Sequence, residues 1–596
     1  MLSKLTTPLR TLFVRAKEIV RLFSASGRAL FYLLAFLIIG SSLGLLFILN
    51  ESLKVDVPVR GGSYSEGVID TPRFINPVLA ISDVDQDLVA LTYAGLLKQS
   101  PDNTMVPDMA ESYDVSQDGK TYTVHIDRTA RFQDGTPVTA DDVVFTINKA
   151  LDPAIKSPRR ADWEGVQVSE VDPYTVQFTL AKPYAPFVDN LSMGILPKHL
   201  WQNVSAEEFP FSELNTTPVG SGPYQVTSIS RTSSGIPSSY TLTAFANYTL
   251  GAPYITTITL RFYQNESLLV SALMHGDVEA GSAISPASLT NLRSLSGSHA
   301  VSIPLNRVFG VFFNQNQSAV LRDKTVRQAL SAAIDRNALV AQVLGNYGSP
   351  LTGPIPPSLL GQTGITQDGS NATAASAPAQ PDASTTDPVA AARAMLINAG
   401  WKPGPDGVLQ KSVNNGKFTQ TVRLAFSLAT GNVDELTSAA QFVKDAWTRM
   451  GADVTVNVYD QGDLSENVIR PRKYDALLFG EIVGRGLDLY AFWHSSERND
   501  PGLNIAMYAN PTVDALLEKL RAADDDSTRQ SILSSIATQI NNDQPAVFLY
   551  SPDFVYVTPD TVKGMSFGII EDPSDRFATV ASWYNQTDSV WRVFAR

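Results

Sequence analysis

The chain contains no cysteine and only five histidines among its 596 residues. The absence of cysteine excludes disulfide bonds, thiolate catalysis, zinc–cysteine sites and the modified cysteine of a lipoprotein. So few histidines argue against a histidine-based metal centre, and we expect neither a metal nor a cofactor. Hydrophobic residues make up 44% and charged residues 18% of the chain, which is the composition of a globular protein. Its length predicts more than one domain.

Basic residues are concentrated at the N-terminus. The net charge is −13, which argues against general nucleic-acid binding. Residues 1–29 hold six Lys or Arg residues and one Glu, a balance of +5, so the remainder carries −18. The sequence therefore predicts an acidic soluble body that follows a basic head.

One uncharged apolar run occupies residues 29–49 (ALFYLLAFLIIGSSLGLLFIL). A helix needs about 20 such residues to cross the hydrocarbon core of a membrane. A cleaved signal has a shorter apolar core and a small-residue cleavage site, so we predict an uncleaved signal anchor, with a cleaved signal as the alternative. The basic flank 1–28 predicts a cytoplasmic N-terminus and a body on the extracytoplasmic face.

Residues 9–23 place apolar side chains on one helical stripe and basic side chains on the other face. This pattern is typical of a helix that lies on a membrane surface. A simple positive flank that sets the topology of the anchor explains the same residues equally well.

After a polar tether at 50–60, strand and helix patterns alternate. Period-two patterns predict strands at 121–126 and 175–180. Helices are predicted at 139–150, where Thr139 is the cap, at 326–344, and from Asp387-Pro388 to about Ala399.

From residue 421 the patterns read strand (421–428), helix (433–450), strand (453–459), short helix and strand (474–480). This order predicts a mixed or parallel sheet covered by helices. Residues 361–386 are rich in small and polar residues without a period, and we interpret them as a flexible surface insertion.

Six segments in consistent order carry a resemblance to a known family. They are residues 61–67 (GGSYSEG), 76–77 (NP) with 93–97 (YAGLL), 106–113 (VPDMAESY), 131–143 (RFQDGTPVTADDV), 218–224 (PVGSGPY) and 326–336 (VRQALSAAIDR). Together they resemble the large peptide-and-nickel type of substrate-binding protein of ABC transporters, over about residues 61–560. Judged from their residues alone, most of these segments are turns and helix ends, and none contains residues typical of a catalytic site.

The resemblance implies an α/β fold with two lobes, mixed sheets and a two-strand hinge, here preceded by one transmembrane helix. Lobe one would comprise residues 61–310 and lobe two residues 311–544, with 545–596 returning to lobe one. The chain would cross near residues 308–315 and return near 545–552. The implied function is to capture an oligopeptide or a similar small solute by hinge closure and to deliver it to ABC permease subunits.

Family positions also suggest ligand-contacting residues. In lobe one and at the crossover these are Glu66, Tyr93 and Asn314. In lobe two they are Glu481, Arg485, Asp488, Tyr490, Trp493, Asn504 and Tyr508. Peptide-binding relatives pair an aspartate of this stretch with the amino group of the ligand, and only Glu481 and Asp488 could supply that charge here. This departure leaves the ligand open among a peptide, a sugar, a metal chelate and other solutes.

The sequence also bears on two other classes of function. A secreted hydrolase would need a nucleophile with a base, or a paired acid and base, and the chain has no G-x-S-x-G, H-E-x-x-H or P-loop motif. Asp141 and Asp142 are adjacent and suit a helix N-terminus better than a catalytic pair. A tethered receptor or a chaperone-like module that binds peptide without transport would have the same sequence features.

Overall fold

The structure is a computed structural model, and it describes residues 22–292, 295–356, 359, 387–414, 419–484, 486–523 and 525–594. The predicted insertion 361–386, most of the amphipathic stretch 9–23, and Arg485 lie outside the described residues. The described chain divides into two units. One unit extends from Arg60 to Asn585, and the other consists of the N-terminal segment up to Val59 together with the C-terminal segment from Gln586.

A large mixed sheet runs through the Arg60–Asn585 unit. Its strands in spatial order are Asp453–Tyr459, Ala425–Gly431, Ala476–Ile482, Arg307–Phe313, Ala546–Pro559, Ala280–Gly281, Ser63–Ile69, Thr257–Tyr263, Pro237–Ala244 and Tyr224–Arg231. Strands Ser298–Pro304 and Gly348–Pro350 also pair with the long strand Ala546–Pro559. Ala425–Gly431 is parallel to both of its neighbours, whereas Arg307–Phe313 is antiparallel to both of its own. The predicted mixed sheet is thereby confirmed.

Smaller sheets and helices cover this sheet. Strands Ala110–Val115, Thr121–Ile126, Thr175–Leu180 and Val166–Asp172 form an antiparallel sheet, Lys402–Pro403, Leu409–Asn414 and Thr419–Arg423 form another, and Leu97–Gln99 pairs with Met105–Pro107. The longer helices are Asp83–Thr92, Ala140–Leu151, Glu266–His275, Lys324–Ala332, Arg336–Leu344, Pro388–Asn398, Asp434–Met450, Pro511–Ala522 and Asp526–Asp543. Shorter ones are Arg160–Trp163, Phe187–Asn190, Lys198–Trp201, Pro286–Leu292, Tyr490–Trp493 and the 3-10 turn Pro573–Phe577.

Most element predictions are confirmed. Two predictions were wrong, because an element predicted as continuous is divided into two in each case. The predicted helix 326–344 is two helices, because the chain turns after Ala332 and the Asp335 carboxylate caps a new helix by accepting from Ala338 N at 3.0 Å. The predicted strand 421–428 is divided at Leu424, where the chain passes from the small antiparallel sheet to the large one. In both cases an uninterrupted apolar pattern concealed a change of direction.

The buried apolar residues form clusters that define two lobes. One cluster gathers side chains from Tyr64 to Leu305 and again from Phe554 to Trp583. Two others gather side chains between Val308 and Tyr550. The chain passes from the first cluster to the other two between Leu305 and Val308, and back to the first between Tyr550 and Phe554. The chain thus enters lobe two directly before strand Arg307–Phe313, and it returns within the long strand Ala546–Pro559.

The second unit contains the N-terminal helix Ala25–Ser52, which is long and apolar enough to cross a membrane. Strand Lys54–Pro58 follows it and pairs antiparallel with strand Thr587–Trp591, in a register that runs from Lys54–Trp591 to Pro58–Thr587. The sequence predicted a plain tether at 50–60 and a return to lobe one at 545–596. Residues 54–58 instead form a strand that pairs with strand Thr587–Trp591 in a short antiparallel ladder.

Candidate functional site

A cavity of about 480 Å³ lies where the two lobes meet. Such a volume falls within the range of small-ligand pockets, about 300–1,000 Å³. Lobe one contributes most of the lining, lobe two contributes the residues that follow strand Ala476–Ile482, and residues 571–575 close a third side. The lining includes Pro77, Gln86, Val89, Arg159, Asp162, Tyr184, Pro186, Asp189, Gly194, Ile482, Gly484, Gly486, Asp488, Glu571, Asp572, Ser574 and Asp575.

The hinge holds the lobe-two part of this lining in place. Asn306 N donates to Ile570 O at 3.1 Å, and Asn306 O accepts from Val483 N at 2.8 Å. Both partners are next to residues that line the cavity, namely Glu571 and Ile482. The single residue Asn306 therefore connects the crossover to two walls of the cavity.

Charged groups on the described lining are mainly acidic. Six carboxylates belong to it, and Asp162 is paired with Arg159 at 3.1 Å. The Asp575 carboxylate accepts from Glu571 N and Asp572 N, both at 2.9 Å, which shapes the acidic turn. Burial raises the pKa of Asp162, and Arg159 opposes that rise. This lining favours a ligand group that is positively charged or that donates hydrogen bonds.

Among the predicted ligand residues that the structure describes, Asp488 lines the cavity, and its carboxylate is already paired. Arg521 Nη2 donates to Asp488 Oδ2 at 2.6 Å, and Arg521 Nε donates to the same oxygen at 3.0 Å. The Arg521 guanidinium lies 3.8 Å from the centre of the Tyr490 ring and 5.5 Å from that of Tyr184. Ala185 N also donates to Arg521 O at 3.3 Å. Because Tyr184 and Ala185 belong to lobe one, this group of contacts joins the two lobes at the edge of the cavity.

Glu481 occupies the opposite face of its strand from Ile482, which lines the cavity. Alternate residues Leu477, Phe479 and Val483 share its face and pack in the apolar cluster around Trp493. Glu481 is 4% exposed, and neither carboxylate oxygen has a hydrogen-bond partner among the described residues. Burial raises the pKa of this carboxyl well above its usual range. A role for Glu481 as a ligand counter-charge remains a prediction.

Glu66 is enclosed in lobe one by a network of charged and hydroxyl groups. Arg576 donates to Glu66 Oε1 through Nε at 2.9 Å and Nη2 at 2.7 Å, and to both oxygens of Asp87 at 2.6 Å. The Tyr556 and Tyr64 hydroxyls bond to Glu66 Oε2 and to each other. All of these residues are buried. The network joins turn Pro573–Phe577 to helix Asp83–Thr92, and both of these elements contribute lining residues.

Four other predicted residues hold the backbone of lobe two or its core. Asn314 bonds to Arg472 O at 2.8 Å, at the end of strand Arg307–Phe313 that is remote from the cavity. Asn504 donates to His494 O and Tyr508 O, and the Tyr508 hydroxyl donates to Asp543 at 2.6 Å. Trp493 is fully buried between Phe312, Tyr508 and Phe548.

The remaining two predicted residues lie near the cavity. Tyr490 stacks on His494 beneath Arg521. Tyr93 is buried, and its hydroxyl has no partner among the described residues. A Cβ on Gly194, which lines the cavity, would lie 2.7 Å from Tyr93 Cβ. Tyr93 therefore supports the wall of the cavity from behind.

Sequence reasoning did not find most of the lining. Asp162 lies in the short helix Arg160–Trp163, Arg159 directly precedes that helix, and Tyr184 lies in the connection before helix Phe187–Asn190. None of the three belongs to a family segment. The acidic stretch 571–575 (EDPSD) was a visible signal, because four of five residues can carry charge or donate a hydroxyl. Nothing in the sequence indicated that this stretch lines the same cavity as Ile482, Gly484, Gly486 and Asp488.

The fold and the cavity define a two-lobed solute-binding protein with a periplasmic-binding-protein fold. Residues 104–501 match the family model of bacterial extracellular solute-binding proteins, family 5. The chain belongs to that family. This confirms the resemblance to substrate-binding proteins of ABC transporters.

Individual relatives match along most of the chain. The oligopeptide-binding protein AppA of Bacillus subtilis is 28% identical over 534 residues, which cover 87% of this chain and 92% of AppA. The solved structure of that protein in complex with a nonapeptide matches with a TM-score of 0.66 and 26% identity, covering 89% of this chain and 99% of the other. The ABC transporter substrate-binding protein CtaP of Listeria monocytogenes matches with a TM-score of 0.70 and 26% identity, covering 88% of this chain and all of CtaP.

Proposed function

We propose that this protein is a membrane-anchored capture component that binds peptides or similar small solutes and delivers them to the permease of an ABC importer. The cavity between the lobes is the observation that carries the proposal. A peptide ligand is supported by the names of relatives, which include an oligopeptide-binding and a dipeptide-binding protein. The role is binding and delivery rather than catalysis, and closure of the lobes around the ligand is the conformational step.

The acidic lining suggests how such a ligand is held. An ammonium group of a peptide would face carboxylates such as Asp162, while the ligand backbone would meet the main chain of the lining residues Gly484 and Gly486. Asp488 is held by Arg521 and would orient the wall rather than pair alone with the ligand. Arg485, predicted from the family positions, is adjacent in sequence to both glycines.

Calorimetric titration of the full-length protein in detergent tests this assignment. We expect the tripeptide Lys-Ala-Ala to bind more tightly than Glu-Ala-Ala. The variant Asp162→Asn should weaken binding of the lysine peptide by about tenfold, the loss of about 1.4 kcal/mol of charge interaction. Asp114→Asn, a change at an exposed carboxylate of lobe one, is the matched control and should have no effect. Failure of both peptides to bind would contradict a peptide ligand.

The membrane anchor is proposed to remain on the mature protein. Helix Ala25–Ser52 comprises 28 residues, none of them buried, and no charge interrupts residues 29–49. Protease treatment of intact cells should therefore remove the body and leave a small N-terminal fragment in the membrane. A mature protein that begins near residue 50 would show instead that the helix is a cleaved signal.

A further inference from the structure

The C-terminal segment returns to the end of the N-terminal helix. Strand Thr587–Trp591 runs antiparallel to strand Lys54–Pro58, and its last residue, Trp591, pairs with Lys54, two residues after the helix ends. Arg592 N then donates to Leu53 O at 2.8 Å, which extends the pairing to the helix terminus. The chain therefore approaches the membrane side of this unit as it reaches its end.

Trp591 fixes the level of this segment along the helix. Its indole Nε1 donates to Asn50 Oδ1 at 2.9 Å. Asn50 is the first polar residue after the uncharged run 29–49, so it marks where the helix leaves the hydrocarbon core. A tryptophan at this level is typical of the membrane–water interface, where the ring is apolar and the N–H stays hydrated or bonded.

Beyond Trp591 the chain turns and exposes apolar side chains. Phe594 N donates to Trp591 O at 2.7 Å, which closes the turn. Val593 is 83% exposed, Phe594 72% and Trp591 49%. Leu53, at the end of the helix, is also exposed. Four apolar side chains thus lie uncovered around the point at which the helix emerges, and Arg592 lies among them.

We propose that residues 591–594 insert into the headgroup and upper acyl region of the membrane leaflet where helix Ala25–Ser52 ends. The partner is a lipid surface, because the backbone next to this segment pairs with residues 53–58, which directly follow the membrane-spanning helix. The inference rests on the proposed retention of the anchor. It implies that this unit is attached to the membrane through both helix Ala25–Ser52 and residues 591–594, and that it continues into the body after Val59 and before Gln586.

Spin labelling tests the insertion, because a chain without cysteine accepts a single engineered label. Phe594→Cys is labelled with a nitroxide in full-length protein reconstituted into phosphatidylcholine–phosphatidylglycerol vesicles. Relaxation by oxygen, which partitions into lipid, is compared with relaxation by a water-soluble nickel chelate. We expect the label at 594 to be at least several-fold more accessible to oxygen than to nickel. Asp588→Cys, at an exposed position of strand Thr587–Trp591, should give the reverse ratio.

Leu37→Cys, in the middle of the helix, separates the two proposals. A lipid-buried label at 37 with a water-exposed label at 594 would overturn the insertion while leaving the anchor in place. A water-exposed label at 37 would overturn the anchor and the insertion together. Lipid burial at both 37 and 594, with a water-exposed label at 588, is the expected result.

Discussion

At the residue scale, the clearest consequence of the fold is a carboxyl group kept away from water. Glu481 has no hydrogen-bond partner among the described residues, and Tyr474 is a titratable neighbour whose pKa is itself raised by burial and to a smaller extent by Glu481. A buried carboxyl is more stable in its protonated form. Its presence beside the cavity wall therefore makes the stability of lobe two depend on pH.

We predict that Glu481→Gln reduces this dependence. The pKa of Glu481 is raised in the folded state above its ordinary value of 4.5. Its contribution to stability is therefore fully present below about pH 4.5 and is lost as the pH rises through the folded pKa. Relative to the variant, the wild-type free energy of unfolding should fall by up to about 1.4 kcal/mol per pH unit over that window.

Thermal melting of both full-length proteins between pH 4.5 and 8 measures the difference. Glu164→Gln, at an exposed position of lobe one, is the control and should follow the wild type. Parallel curves for wild type and Glu481→Gln would mean that the buried carboxyl does not titrate differently in the folded state.

At the element scale, the buried network around Arg576 determines how two cavity walls meet. Asp87 and Glu66 come from a helix and a strand near the start of the body, whereas Arg576 comes from a short turn near its end. Burial raises the pKa of Asp87 to about 6, and Arg576 opposes this rise through charge and hydrogen bonds. The three charges are stable together, and none would be stable alone at full burial.

Arg576→Met should therefore lower the free energy of unfolding by about 3–5 kcal/mol, because it leaves two buried carboxylates without a counter-charge. Arg423→Met is the matched control. It breaks an equally short pair with Asp406, at 2.6 Å, but both of its side chains are nearly half exposed. That change should lower stability far less, because water already screens an exposed pair. Chemical denaturation of both variants measures the comparison, and equal losses would refute the role assigned to burial.

At the scale of the whole molecule, we expect the contacts across the cavity edge to favour closure of the lobes. Tyr184 and Ala185 of lobe one meet Arg521 of lobe two, and Pro186 approaches Gly486 so closely that a Cβ there would lie 2.7 Å from Pro186 Cβ. These contacts stabilise the closed state, so a ligand that binds that state has to supply less of the free energy of closure itself. The apparent affinity then depends on how much of the free protein is closed.

Tyr184→Ala should open the ligand-free protein and increase its radius of gyration in X-ray scattering. The cation–π contact that is lost is worth about 1 kcal/mol, so peptide affinity should fall several-fold. Tyr174→Ala is the control, because Tyr174 lies under Arg128 at 4.9 Å and both residues belong to lobe one. An unchanged radius of gyration in Tyr184→Ala would argue against these contacts as a determinant of closure.

The sequence by itself determined the class of the protein and most of its elements. Apolar run length predicted the N-terminal helix, periodicity predicted strands such as Thr121–Ile126, and local capping chemistry predicted helix Ala140–Leu151, where Asp142 Oδ2 accepts from Thr139 N at 2.9 Å. These features depend on interactions between residues close in the chain, so a single sequence contains them.

Only the tertiary structure decided which residues line the cavity, that Glu66 is buried, and that the Glu481 side chain lies on the strand face opposite the cavity. Arg576 meets Glu66 across 510 positions of sequence. Asn306 bonds to both Ile570 and Val483, which are the neighbours of the lining residues Glu571 and Ile482. No sequence pattern indicated that Lys54 pairs with Trp591. Such contacts depend on how lobes and strands assemble, and a local pattern specifies which face of a strand is apolar but not what covers it.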